Sequence, residues 1–282
     1  DATAASWNPA GLVQLERPEI SVVGAFNGVS ESFGADFHPE VDSRHSARHT
    51  DLNFLSVVYP LPVLVLGRNV TVSISYQHKY DFTRDFVLDY HTAAANSRGA
   101  VLNNLLELDF RQDGGLSTLS PAVAVELTHR LSLGATLNLW RSSLFADNGW
   151  TQTTENRAVA IYGGTTILGD SRSRERYEDF EGENLVLGLL WNPTDRWSLG
   201  LRYDTAFTGE AKYRNRGYRM QVNLPGLGSR GFLSVTPSSK HETRHVRFPD
   251  SLALGVAYRA NDRFTLSLDV TRTDWNDFYV QD

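Results

Sequence analysis

Two histidine pairs, His45/His49 and His241/His245, are each spaced by four residues. On a helix that spacing puts both rings on one face, where they could hold a metal ion. On a strand it separates them by about 13 Å, at ~3.3 Å per residue. His45 and His49 share their segment with Arg44 and Arg48, so a basic surface loop is the stronger reading, and no metal site is expected. Gly226, Gly228 and Gly231 match G-x-G-x-x-G in letters only. They follow Pro225 inside a long polar stretch, with no strand–helix–strand unit to build a dinucleotide site. There is no G-x-S-x-G elbow and no cysteine, so no local motif supplies a nucleophile. The expectation is a chain with no catalytic residue and no cofactor. A hydrolase assembled from distant residues is the competing class.

Composition narrows the field further. Among 282 residues, 27 Lys and Arg stand against 33 Asp and Glu, a net charge of −6 with the signs interspersed. A nucleic-acid partner is not expected from that balance. The longest apolar run, from Val57 to Leu66, is interrupted by Pro60 and Pro62, too short for a membrane-spanning helix, which needs ~18 apolar residues.

The elements that would position any site are strands. Val70, Val72, Ile74 and Tyr76 alternate with Thr71, Ser73 and Ser75, and the same period of two runs through 131–139, 197–203 and 264–270. Such a period puts one set of side chains on each face of a strand. Arg68, Arg130, Arg196 and Arg263 each sit in a short turn just before one of these strands. The pattern predicts an all-β chain of nine strands, at 19–36, 51–61, 69–90, 104–128, 131–145, 178–192, 196–213, 243–259 and 263–280. Tight turns at 67–69, 129–131, 193–196 and 260–263 should all lie at one end. Long polar excursions at 37–50, 91–103, 146–177 and 208–242 should lie at the other. Short turns opposite long loops are the mark of an antiparallel transmembrane β-barrel, and a soluble β-sandwich is the alternative.

The Leu/Val/Ile/aromatic face is too apolar to front water, so Leu199, Leu201, Leu266 and Leu268 should face lipid. Tyr59, Trp191, Trp197, Tyr258 and Phe264 would form one interfacial girdle, with Tyr76, Trp140 and Tyr203 near the other. Ser73, Ser75, Ser132, Gly134, Ser198, Gly200 and Ser267 should face inward and leave space for a plug or ligand. Glu126, Arg202, Asp204 and Asp269 point the same way, as polar lumen residues able to hold a plug by charge-assisted hydrogen bonds. Pro121 and Pro249 interrupt strands and mark bulges.

Before the first strand, Ala5-Ser6-Trp7-Asn8-Pro9-Ala10-Gly11-Leu12 has no strand periodicity. Its Asn-Pro-Ala-Gly resembles the N-terminal hatch signature of the FadL/OmpP1/TodX family of outer-membrane transporters of hydrophobic compounds. Leu66-Gly67-Arg68-Asn69 with Tyr80-Asp81-Phe82-Thr83-Arg84-Asp85-Phe86 is similar to that family's early hairpin. The run from Phe248 to Arg259, then Asp262-Arg263 and Asp274-Trp275, is similar to its late one. The resemblance implies a fourteen-stranded barrel plugged by a hatch, passing long-chain fatty acids or aromatic hydrocarbons inward by diffusion. On that pattern residues 1–18 are the end of the hatch, with Trp7, Asn8, Pro9, Ala10 and Gly11 at its centre, and 19–282 a barrel truncated on its C-terminal side. Leu102, Leu105, Leu106 and Leu108, with Ile161, Ile167 and Leu168, are the expected capture residues for a hydrophobic substrate. Outer-membrane lipid and lipopolysaccharide are the expected surroundings, with the 44–49 segment facing the latter, in a Gram-negative bacterium. A hydrophilic-solute porin is the further alternative. The resemblance also implies a kinked third strand that opens a lateral gate, yet 69–90 holds neither Gly nor Pro.

Overall fold

A computed structural model describes residues 2–34, 41, 43–95, 101–143, 145–162, 165–224 and 231–281. The glycine-rich stretch from Gly226 lies, but for Gly231, outside the described residues. A short helix (Ala4–Trp7) and a 3-10 turn (Pro9–Gln14) precede the strands. The strand segments are β1 (Glu19–Phe33), β2 (Ser43–Pro60), β3 (Val70–Asp81), β4 (Arg84–Ala95), β5 (Val101–Thr128), β6 (Leu131–Trp140) and β7 (Gly149–Tyr162). They continue with β8 (Thr165–Thr194), β9 (Trp197–Asp204), β10 (Phe207–Leu224), β11 (Phe232–Phe248), β12 (Ser251–Asn261), β13 (Phe264–Thr273) and β14 (Tyr279–Gln281).

Several of these segments are halves of one strand. β3 and β4 both pair with β5, β6 and β7 both lie between β5 and β8, and β9 and β10 both pair with β8. β12 and β11 continue one another, as do β13 and β14. The result is one antiparallel sheet of nine long strands, as the alternation predicts.

The strand limits differ from expectation. The supposed polar loops at 37–50, 146–177 and 208–242 are largely strand, paired through β2, β7, β8, β10 and β11. Their side chains are polar on both faces, because these outer hairpins rise beyond the apolar belt. Alternation in hydrophobicity therefore vanishes while the hydrogen-bond ladder persists. His45 and His49 consequently lie in β2 and His241 in β11, not in loops, and His245 lies in β11 as expected.

The turns do lie at one end. Two-residue turns join β5 to β6, β8 to β9 and β12 to β13, and the register carries Val70↔Val125, Leu131↔Trp191, Trp197↔Tyr258 and Tyr258↔Leu266 across the same end of the sheet. Only the β2–β3 connection, 61–69, is longer.

Facing follows the pattern as well. Ser73, Ser75, Ser132 and Thr136 are buried, whereas Leu201, Leu254, Leu266, Leu268 and Val270 are exposed. Leu199 is half-buried, and Ser267, on the edge strand β13, is exposed. Trp191, Trp197, Tyr59 and Phe264 stay outside beside the short turns. Two girdle assignments need correction. Trp140 turns inward and is buried, and Tyr76 is covered by Phe145, their rings 5.1 Å apart. The sheet also curls. Tyr80 on β3 and Phe248 on β11 are far apart in strand order, yet their ring centroids are 5.3 Å apart across the concave side.

An outward apolar face with no second sheet over it among the described residues is wrong for a sandwich core and right for lipid. Leu201→Ala should therefore cost under about 1 kcal/mol in lipid, where a packed soluble core would lose ~2–5 kcal/mol. Leu201→Arg should cost ~2–4 kcal/mol near the bilayer midplane. Unfolding in detergent–lipid micelles measures both, and a large loss for the alanine variant would contradict the facing.

Candidate functional site

The N-terminal segment lies on the concave face. Pro9 has no N–H and a fixed φ, which suits it to start the 3-10 turn, and the Asn8 side chain caps that turn by accepting from the Ala10 nitrogen at 3.1 Å. The other end of the same amide donates to the carbonyls of Leu189 (3.0 Å) and Leu201 (3.3 Å), which face each other on β8 and β9. Thr136 Oγ1 on β6 donates to the Ala5 carbonyl at 3.0 Å, and the Ala2 nitrogen donates to Glu19 on β1 at 3.0 Å. Ala2, Ala5, Pro9, Ala10 and Leu12 are buried. What allows this contact is missing side-chain volume. Gly134 and Gly188 pair directly across β6 and β8, and a Cβ on either would collide with Asn8, Pro9 or Ala10. Trp7 is the exception, with its indole largely exposed beside a cavity that Arg202, Gly255 and Asp269 also line.

Further from the short turns, the concave side holds a stack of rings. Trp140 and Phe207 lie 5.1 Å apart at 20°, Phe207 and Phe248 5.0 Å at 8°, and Tyr80 and Phe248 5.3 Å at 23°. Trp140 is locked by a buried polar chain. Its indole N–H donates to Asn184 Oδ1 at 2.8 Å, Asn138 Nδ2 donates to the same oxygen at 3.1 Å, and Ser120 Oγ donates to Asn138 at 2.8 Å. These rings border a cavity of about 170 Å³ together with Lys79, Arg202 and Asp204. Arg202 holds Asp204 with two nitrogens, at 2.7 and 3.1 Å. Among the described residues Lys79 has no carboxylate within ion-pair distance. The cavity thus carries two cations and one anion against an aromatic wall.

Lys79 occupies this place because the third strand bulges there. Its register with β5 shifts between His78 and Tyr80, leaving Lys79 without an opposite residue. The glycine that permits this is on the neighbour: a Cβ on Gly115 would lie 2.5 Å from both His78 Cε1 and the Tyr80 oxygen. Next to the bulge the wall opens. The β2–β3 ladder runs from Pro60↔Thr71 to Phe54↔Gln77 and stops. Beyond it, side chains bridge the slot: Arg84 to Glu31 at 2.6 Å, Phe86 to Phe33 with centroids 4.8 Å apart, and Asp81 to His49.

The sequence-predicted residues are dispersed among these features. Arg202 and Asp204 meet at the aromatic cavity. Asp269 lies across Gly255 on the open side. Glu126 accepts from Asn69 Nδ2 at 2.6 Å beside the β2–β3 connection. The seven aliphatic residues expected to capture substrate lie on the outer hairpins, in β5, β7 and β8. Leu105 and Ile161 are exposed, Leu106, Leu108, Ile167 and Leu168 are half-buried, and Leu102 pairs with Ala94. None of them lines the aromatic cavity. Sequence reasoning missed Lys79, Tyr80, Phe207 and Phe248. The Gly114-Gly115 pair in the middle of a long strand was the available signal, since glycine in a strand marks close approach or a bulge.

A curled antiparallel sheet with its apolar side chains outside, a packed segment inside and a walled cavity above that segment defines a β-barrel transport protein of an outer membrane. The chain belongs to the family described as outer membrane protein transport protein (OMPP1/FadL/TodX), whose model matches residues 1–280. No curated protein and no solved structure matches it. No helix among the described residues is long and apolar enough to cross a membrane. Membership places the chain in the outer membrane of a Gram-negative bacterium and in the transport of hydrophobic compounds.

Proposed function

We propose that this chain passes long-chain fatty acids, or other hydrophobic molecules bearing one carboxylate, through the outer membrane by diffusion. The supporting observation is the cavity in which Lys79 and Arg202 outnumber Asp204 beside the Trp140–Phe207–Phe248 stack. The rings shelter an apolar chain, and the excess positive charge receives a carboxylate. Exposed apolar tips of the outer hairpins, among them Leu105, Ile161, Leu224 and Phe232, make the first contact. Arg172, Arg174, Arg176, Arg214 and Arg216 on β8 and β10 face the anionic sugar phosphates of lipopolysaccharide. Residues 1–18 act as a hatch closing the periplasmic side, and the slot between β2 and β3 is the lateral exit.

Displacement of a fluorescent fatty acid from the detergent-solubilised intact protein tests the cavity. Lys79→Met should weaken binding about tenfold or more, because a hydrogen bond to a charged group contributes ~1.5–3 kcal/mol. An alcohol of equal chain length should bind to wild type as weakly as the acid binds to the variant. Equal affinity for acid and alcohol would overturn the carboxylate reading.

A further inference from the structure

The slot beside the bulge carries a cluster that the transport reading does not use. His49 Nε2 on β2 lies 3.1 Å from Asp51 Oδ2 and in close contact with Asp81 Oδ2 on β3, and the three donor atoms all lie within 4.8 Å of one another. Asn27 on β1 brings its side-chain amide to 3.1 Å from the same nitrogen. One imidazole nitrogen cannot serve all three neighbours. To donate to either carboxylate it must carry a proton, and to accept from the Asn27 N–H₂ it must not. A cation at the centre resolves the conflict, because the ring nitrogen and both carboxylates then act as lone-pair donors. Turning the Asn27 amide end for end presents its oxygen as a fourth.

The surroundings favour positive charge. The adjoining cavity, about 260 Å³, is lined by Asp51, Asp81, Asp113 and Asp147 together with His49 and His78, and among the described residues by no Lys or Arg. His49 Nδ1 and His78 Nε2 are buried with no hydrogen-bond partner among the described residues, and both residues line this cavity. His49 itself is 15% exposed, so its ring is held in place while the cavity gives an ion a path in.

We infer that His49, Asp51 and Asp81, with Asn27, form a binding site for a divalent transition-metal ion of the zinc type, which clasps β2 to β3 where their ladder stops. Mixed imidazole and carboxylate donors suit Zn²⁺ and its first-row neighbours, whereas Ca²⁺ and Mg²⁺ take oxygen alone. Asp51 and His49 come from one side of the slot and Asp81 from the other, so an ion held by all three is a cross-link. The clasp role rests on the slot being the exit. The site does not, and it is measured without any substrate.

Calorimetric titration of the chelator-stripped intact protein with ZnCl₂ is expected to show one ion bound per chain. Asp81→Asn and His49→Ala should each weaken binding by about tenfold or more, since each removes a ligand. His245→Ala, on β11 where the ring lies 3.2 Å from Glu210 of β10, should leave it unchanged. Thermal melting of the stripped variants, matching that of stripped wild type, shows that lost binding is not lost folding. X-ray absorption of the loaded protein should report one nitrogen ligand among oxygens. Absence of binding, or binding that survives in the His49→Ala/Asp81→Asn double variant, overturns the site. Zinc that binds there but slows fatty-acid uptake no more in wild type than in Asp81→Asn overturns the clasp.

Discussion

Deleting residues 1–15 from the intact protein is expected to take single-channel conductance from nearly closed to that of a water-filled barrel. Ala2, Ala5, Ala10 and Leu12 are buried against the concave face, and Asn8 is bonded to β8 and β9. Irregular backbone at membrane depth is stable only inside protein or a polar cavity, so this segment occupies volume that would otherwise be water. A subtler variant gives the same result without shortening the chain. Gly134→Leu and Gly188→Leu put side chains where Pro9 and Asn8 now touch the wall. Both glycines belong to paired strands whose ladder a leucine tolerates, so the barrel should persist while the segment is driven off. Planar-bilayer recording reads both experiments. Unchanged conductance in the deletion would mean that the segment does not obstruct passage.

The second large effect is expected at Gly115. Gly115→Val forces atoms into His78 and the Tyr80 backbone, 2.5 Å from the glycine's would-be Cβ. Overpacking of this kind typically costs ~1–3 kcal/mol, and the simplest relief is to lose the bulge and straighten the third strand. That would withdraw Lys79 from the cavity and extend the β2–β3 ladder across the slot. Uptake should fall sharply and fatty-acid affinity should fall with it, whereas Gly169→Ala, whose Cβ would meet only ordinary contacts at 3.6 Å, should leave both unchanged. Normal uptake in a folded Gly115→Val protein would show that the bulge is not on the route.

Legibility in the sequence tracked the solvent. Where one face met lipid and the other turned inward, as along Val70–Tyr76 and Trp197–Tyr203, period-two alternation made both strand and facing readable. Beyond the apolar belt, Arg172, Arg174 and Arg176 alternate with Ser171, Ser173 and Glu175. Both faces are polar there, so ladder-bonded strand reads as loop. The compact turn of the N-terminal segment was legible through Asn8 and Pro9, whose turn chemistry is local. The aromatic cavity was not, because Tyr80, Trp140, Phe207 and Phe248 are brought together only by the curl of the sheet. Trp140 in particular resembles a girdle residue by its type, although it shares the parity of inward Ser132 and Thr136, and the Asn184 acceptor satisfies its indole N–H there. The bulge went unseen because the permissive glycine sits on the partner strand, not on the strand that bends.

The most direct test of the account is fatty-acid uptake into asymmetric vesicles whose outer leaflet is lipopolysaccharide, with no ion gradient and no energy source. The intact wild-type protein should accelerate entry of a long-chain fatty acid well above protein-free vesicles, and Lys79→Met should remove most of that gain. Entry no faster than in protein-free vesicles, or acceleration that needs an imposed gradient, would contradict it.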